Sequence, residues 1–207
     1  MTTKRRNWFE GWRLFALLTL ILIALCAAIA GLHAFDADGI RMMIRFTART
    51  SLLLFCLAFS AAAIAHLWPN PWTRWQRRNR RQLGVTFAAS HALHAIAIAA
   101  FAVVDPIGFA KATSLASYVF GGIGYAFIIA MTATSFDRTA ALLGSRAWRA
   151  LHLVGGYYLL LQFTVSFGKR IPEMPLYVLF LIPLAAVFAL RMIAMASRQT
   201  PRTAAAG

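Results

Sequence analysis

The stretch QLGVTFAASHALHAIAIAA, residues 82–100, decides the architecture of this chain. It carries no formal charge over a length that, at about 1.5 Å per residue, crosses a hydrocarbon core about 30 Å thick. A surface helix of a soluble domain would show a polar face here, and this segment has none. Its ionisable groups are two imidazoles, His91 and His94, one turn apart and therefore on one face. Five more runs of similar character flank it. The six cover residues 13–33, 50–68, 82–104, 113–135, 147–167 and 176–196, with charged residues gathered between them. Hydrophobic residues make up 60% of the 207 and charged ones 13%, outside the range of a soluble domain. The expected fold class is all-α: an integral membrane bundle of six transmembrane helices filling residues 1–196. Residues 197–207, polar, small and aperiodic, read as a short disordered tail.

Basic residues orient the bundle. With the N-terminus in the cytoplasm, fifteen of the 21 Lys and Arg fall on that side, among them Lys4, Arg13, Arg149, Arg191 and the run Arg74, Arg77, Arg78, Arg80 and Arg81. The other side receives Arg41, Arg45, Arg49, Lys111, Lys169 and Arg170, together with four of the six acids. The positive-inside rule then places both termini in the cytoplasm. Membrane lipid accounts for most of the net charge of +15 without nucleic acid, and the same basic face suits an acidic soluble partner. A basic start and AIAG around Ala30 also have the outline of a signal peptide, but five further spans make an uncleaved first helix the simpler reading. Trp8, Trp12, Trp68, Trp72, Trp75 and Trp148 flank the runs as interfacial anchors.

Several chemistries are excluded or weakened. No Gly-rich phosphate loop follows a strand, so the chain has no nucleotide-binding domain. Gly121, Gly122 and Gly124 lie mid-span, where small residues serve close helix packing. All six acids sit at span ends or in loops, leaving no buried carboxylate for a proton relay or a hard-cation site. No internal repeat of the transporter kind is visible. Cys26 and Cys56 read as small buried apolar residues rather than as a disulfide.

Ionisable residues inside spans are costly and point to function. His91 and His94 on the third span and His152 on the fifth are interior, whereas His33 and His66 fall at span ends. Imidazoles without acids leave open borderline-metal binding, haem ligation from two helices, or hydrogen bonding between helices. Haem needs one imidazole from each side, a count the two helices meet. Gly155 and Gly156, one turn past His152, would leave room for a porphyrin plane. Counting from the basic flanks, His91 lies about 15 Å and His94 about 20 Å into its span, and His152 about 9 Å.

Two segments carry a family resemblance. RRQLGVTFAASHALH, residues 80–94, with R-R-x-L-G…L-H, and TSFDRTAALLGSRAWRALHLVGGYYL, residues 134–159, with T-S…L-G…W-x-x-L-H, resemble the entries to the third and fifth helices of the ferric-reductase-like transmembrane family. The likeness covers about residues 41–196. It implies a b-type cytochrome subunit passing electrons across the membrane, with His94 and His152 in the positions of ligands to haem iron. His91 is an additional candidate partner for His152, ranked behind His94, and His66 is a third. Arg80 and Arg81, with Arg77 and Arg78, are candidate contacts for propionates or for a docking partner. One departure stands out: the family's further histidine, about thirteen residues along the fifth helix, is Val165 here, which puts a second haem in doubt. Electrons would come from a cytoplasmic flavoprotein reductase or from quinol and leave to a periplasmic oxidoreductase or ferric iron. Quinone or FMN would stand beside haem b as further candidate cofactors. The alternative is a haem-free scaffold or assembly partner of the same fold.

Overall fold

The structure, a computed structural model, describes residues 8–199. In chain order the helices are α1 (Gly11–Leu32), α2 (Ala37–Leu67), α3 (Pro71–Arg78), α4 (Arg80–Val104), α5 (Pro106–Ala112), α6 (Leu115–Ala133), α7 (Asp137–Leu143), α8 (Ser145–Gly168) and α9 (Val178–Gln199). No strand occurs among the described residues. Six helices are long and apolar enough to cross a membrane: α1, α2, α4, α6, α8 and α9, the last together with the 3-10 turn Pro175–Tyr177 before it. The chain is therefore an all-α, multi-pass membrane protein. Successive spans alternate in direction. The face holding the starts of α1, α4 and α8 is called proximal below, and the other distal. Lys4, Arg5, Arg6, Arg202 and most of the expected tail lie outside the described residues. Ser197–Gln199, which the sequence reading put in that tail, continue α9.

The largest difference from the sequence reading is α2. Its apolar run begins near residue 50, yet the helix starts at Ala37 and is 31 residues, about 46 Å, long. Asp36 caps it, its Oδ1 accepting from the Gly39 amide at 2.7 Å. Arg41, Arg45 and Arg49, expected in a loop, thus form a four-residue-spaced stripe on a helix. The turn into α2 is tight, with Ala34 and Phe35 both left-handed (φ 47° and 56°).

Three short helices fill the loops. In α3, Asn70 and Thr73 cap each other's backbone and Pro71 occupies the first turn. Gln76 Nε2 donates to the Leu57 carbonyl at 2.8 Å, fixing α3 against α2. Asp105 caps α5 through the Gly108 amide at 2.8 Å. Helix α7 stops at Gly144, whose φ of 77° a side chain would strain, and α8 begins at the next residue.

A polar seam joins α2 to α4. Ser90 Oγ lies 2.9 Å from Thr50 Oγ1 and 3.0 Å from Ser51 Oγ. Thr47, Ser51 and Ser90 are fully buried. In lipid, small residues and interhelical hydrogen bonds replace the hydrophobic effect as the source of helix association. Beside the seam, Phe55, Phe87 and Phe163 from α2, α4 and α8 meet with ring centroids 5.4–6.2 Å apart and fill the middle of the bundle. Cys26 and Cys56 are buried and free, as expected.

Candidate functional site: two cavities on either side of an aromatic partition

The aromatic centre divides the interior. A distal cavity of about 680 Å³ opens on one side and a proximal cavity of about 810 Å³ on the other, with Leu159 touching both. Both volumes are in the range of small-molecule and cofactor sites.

His91 and His94 line the distal cavity, their ring centroids 5.2 Å apart. His94 Nδ1 lies 3.1 Å from the Ile44 carbonyl and 3.0 Å from Thr47 Oγ1. Because Thr47 donates its own proton to the Met43 carbonyl, and a carbonyl only accepts, the proton sits on His94 Nδ1 and Nε2 is left bare. His91 packs against Tyr125 at 4.9 Å and Phe163 at 6.0 Å, and its Nδ1 is buried without a hydrogen-bond partner. On the opposite wall stand Gln162, Phe163 and Ser166. Val165, where the resemblance would place a further histidine, is 55% exposed and lies outside the cavity lining.

His152 lines the proximal cavity with Arg80, Arg81, Arg77 and Arg78. Its Nδ1 donates to the Trp148 carbonyl at 3.0 Å, and its ring stacks on Trp148 at 4.2 Å. Trp148 is itself anchored by Nε1 donating to the Thr134 carbonyl at 2.9 Å. A backbone carbonyl on Nδ1 fixes the ring as it does in metal-ligating histidines, and the Met131 backbone also hydrogen-bonds the imidazole. Arg81 pairs with Asp137 at 2.5 Å. Arg191, read from the sequence as flanking charge, lies over the Phe59 ring at 3.9 Å and donates to the Phe59 carbonyl at 3.0 Å. Phe59, Arg191 and Tyr125 carry no motif, and the sequence reading did not single them out as site residues.

The structure therefore brings His91 and His94 together and His152 to Arg80 and Arg81, but it does not bring either half to the other. His91 lies beside Phe163, eleven residues beyond His152 on α8, an axial distance of about 16 Å. Two ligands of one haem iron must lie within about 4 Å of each other across the metal. The expected pair of His94 with His152, and the alternative of His91 with His152, thus fail on depth. Flank counting failed because α8 starts roughly 10 Å further toward the proximal face than α4 does. His66 fails as well. It lies outside both cavity linings, with Nε2 3.1 Å from Ser197 Oγ.

The glycine readings invert. A Cβ on Gly156 would collide with the Phe59 ring and one on Gly155 with Met131 and Phe127, so both serve packing and neither leaves the space expected beside His152. Gly121 and Gly122, read as packing residues, have no neighbour within 4 Å of a Cβ and line the distal cavity. Only Gly124 meets side chains, Tyr158 and Leu159, at ordinary contact distance.

The residues present do not fit a bis-histidine haem. In the proximal cavity the oriented His152, the apolar walls of Phe55 and Phe87 and the arginines are the groups that would hold a haem through one imidazole, while the Phe59 ring over Gly156 narrows the space beside His152. Among the described residues no cluster of three or more His, Cys, Asp or Glu is placed to hold a metal ion. The chain matches no family model, no curated protein and no solved structure.

Proposed function

We infer that this membrane protein is an electron-transfer subunit that carries one haem b in the proximal cavity, on His152. The observation that carries the reading is the His152 ring, fixed through Nδ1 to a helix carbonyl inside a cavity that Arg80 and Arg81 share. When bound, haem supplies a one-electron carrier within the bilayer.

The chain's own residues do the rest. Trp148 holds the imidazole plane by stacking and by its carbonyl. Arg80 and Arg81 supply positive charge where propionates would lie. The partition of Phe55, Phe87 and Phe163 keeps water from running through the bundle. With the proximal face cytoplasmic, the run of arginines from α3 into α4 receives an acidic flavoprotein reductase, or quinol enters from the lipid. Electrons leave at the periplasmic face to an oxidoreductase or ferric iron.

A haem-free scaffold is the second reading. It is favoured by the Phe59 ring seated over Gly156, which occupies space that a porphyrin beside His152 would use. The visible spectrum of the detergent-purified protein, dithionite-reduced minus air-oxidised, separates the two. A b-type signal near one haem per chain is expected. Absence of haem after haem-replete expression would overturn the electron-transfer reading and leave the scaffold.

A further inference from the structure

The distal mouth carries more positive charge than the carboxylates beside it pair. Arg41, Arg45 and Arg49 reach the distal cavity from α2, and Lys169 and Arg170 reach it from the end of α8. Arg41 is paired with Asp38 at 3.3 Å and Asp105 at 2.9 Å. Among the described residues, no carboxylate comes within ion-pair distance of Arg45, Arg49, Lys169 or Arg170.

Arg49 is the most telling of these. It lies eighteen residues, about 27 Å, from the proximal end of α2, at the boundary of a hydrocarbon core about 30 Å thick. Its guanidinium is held by the rings of Phe180 at 5.3 Å and Tyr177 at 5.8 Å. Its Nε is buried with no hydrogen-bond acceptor. A permanent charge at that depth, short of a partner and beside three like charges, is costly unless an anion completes the site. The same charges oppose a metal cation at His91 and His94.

Apart from the charges the lining is mostly apolar, with Ile98, Phe101 and Leu159, while His91, His94, Gln162 and Ser166 add polar groups and the bare backbone at Gly121 and Gly122 keeps the cavity open. A ligand that satisfies both ends has an anionic head and a long apolar body. We propose that the distal cavity binds an anionic phospholipid of the surrounding membrane, its phosphate on Arg45, Arg49 and Arg170 and an acyl chain along the α6 glycines. Planar guanidinium forks suit phosphate oxygens, and membrane lipid is always at hand. The site is independent of whether haem occupies the proximal cavity.

The test uses the full chain in neutral detergent, with native mass spectrometry counting bound lipid during titration. The probes are phosphatidylglycerol, phosphatidylcholine with matched chains, and inorganic phosphate as competitor. Phosphatidylglycerol should bind at least tenfold more tightly than phosphatidylcholine, and the double variant Arg45→Ala/Arg49→Ala should lose roughly that preference. Lys111→Ala, outside the cavity lining, should leave it unchanged. Gly122→Leu keeps every charge, fills the chain's path and should also abolish binding, which guards against misfolding of the arginine variants. Equal binding of the two lipids, or an unchanged preference in the double variant, would overturn the proposal. Displacement by millimolar phosphate would reassign the site to a soluble anion, and full binding by Gly122→Leu would refute the placement of the chain.

Discussion

Replacing Gly156 by Ala places a methyl group against Phe59, closer than carbon atoms approach. Whether this costs anything depends on whether the ring can move. Phe59 stacks on Phe55 at 5.2 Å, meets Tyr157 edge-on at 5.4 Å and lies beneath the Arg191 guanidinium at 3.9 Å. It is held on three sides. Overpacking against such a ring costs about 1–3 kcal/mol, larger than the helix-propensity gain of about 1 kcal/mol from Gly to Ala. At about 2–4 °C per kcal/mol for a chain of this size, the net melting shift is a loss of a few degrees. Gly122→Ala is the internal control, because its methyl group meets nothing within 4 Å and only the propensity gain remains. The two buried free thiols, Cys26 and Cys56, provide the assay: a thiol-reactive dye reports their exposure as the protein unfolds in detergent. Gly156→Ala should melt below wild type and Gly122→Ala at or slightly above it. If Gly156→Ala melts with or above wild type, the packing assigned to Phe59 is wrong.

Three further outcomes follow from the geometry. Ser90→Leu should lower stability by about 2 kcal/mol or more in the same dye melt, since a fully buried hydroxyl joining Thr50 and Ser51 becomes an oversized side chain, and Ser90→Ala should cost only about 0.6–1.7 kcal/mol. Asp137→Asn breaks the ion pair with Arg81, but Asp137 is 85% exposed, so the melting temperature should change by no more than the equivalent of about 1 kcal/mol. Because the proximal cavity supplies one imidazole, reduced haem-loaded protein should bind carbon monoxide with a shifted Soret band; a spectrum indifferent to carbon monoxide would mean a second protein ligand.

The spans were legible because uncharged runs of membrane-crossing length have few other meanings, and six such helices stand where six runs were read. The start of α2 was not legible from apolarity, since Arg41, Arg45 and Arg49 interrupt it. Asp36 as a cap and the four-residue spacing of those arginines were the signals that would have extended the helix. Depth was the harder failure. Residue counts from a basic flank measure distance along one helix, whereas His91 and His152 are compared across two helices whose starts differ by two turns. The glycines show the same limit, because a missing side chain in sequence records neither whether a neighbour fills the space, as Phe59 does at Gly156, nor whether it stays open, as at Gly122. The grouping of His152 with Arg80 and Arg81, by contrast, was legible from the two short motifs that carry them.

Haem content per chain in wild type, His152→Ala, His94→Ala and His91→Ala, each purified after haem-replete expression, tests the central assignment most directly. Haem is expected to be lost in His152→Ala alone, and both distal variants should keep the wild-type amount and spectrum. Loss of haem in His94→Ala or His91→Ala together with His152→Ala would contradict it, because those residues would then have to meet across a distance the fold does not close.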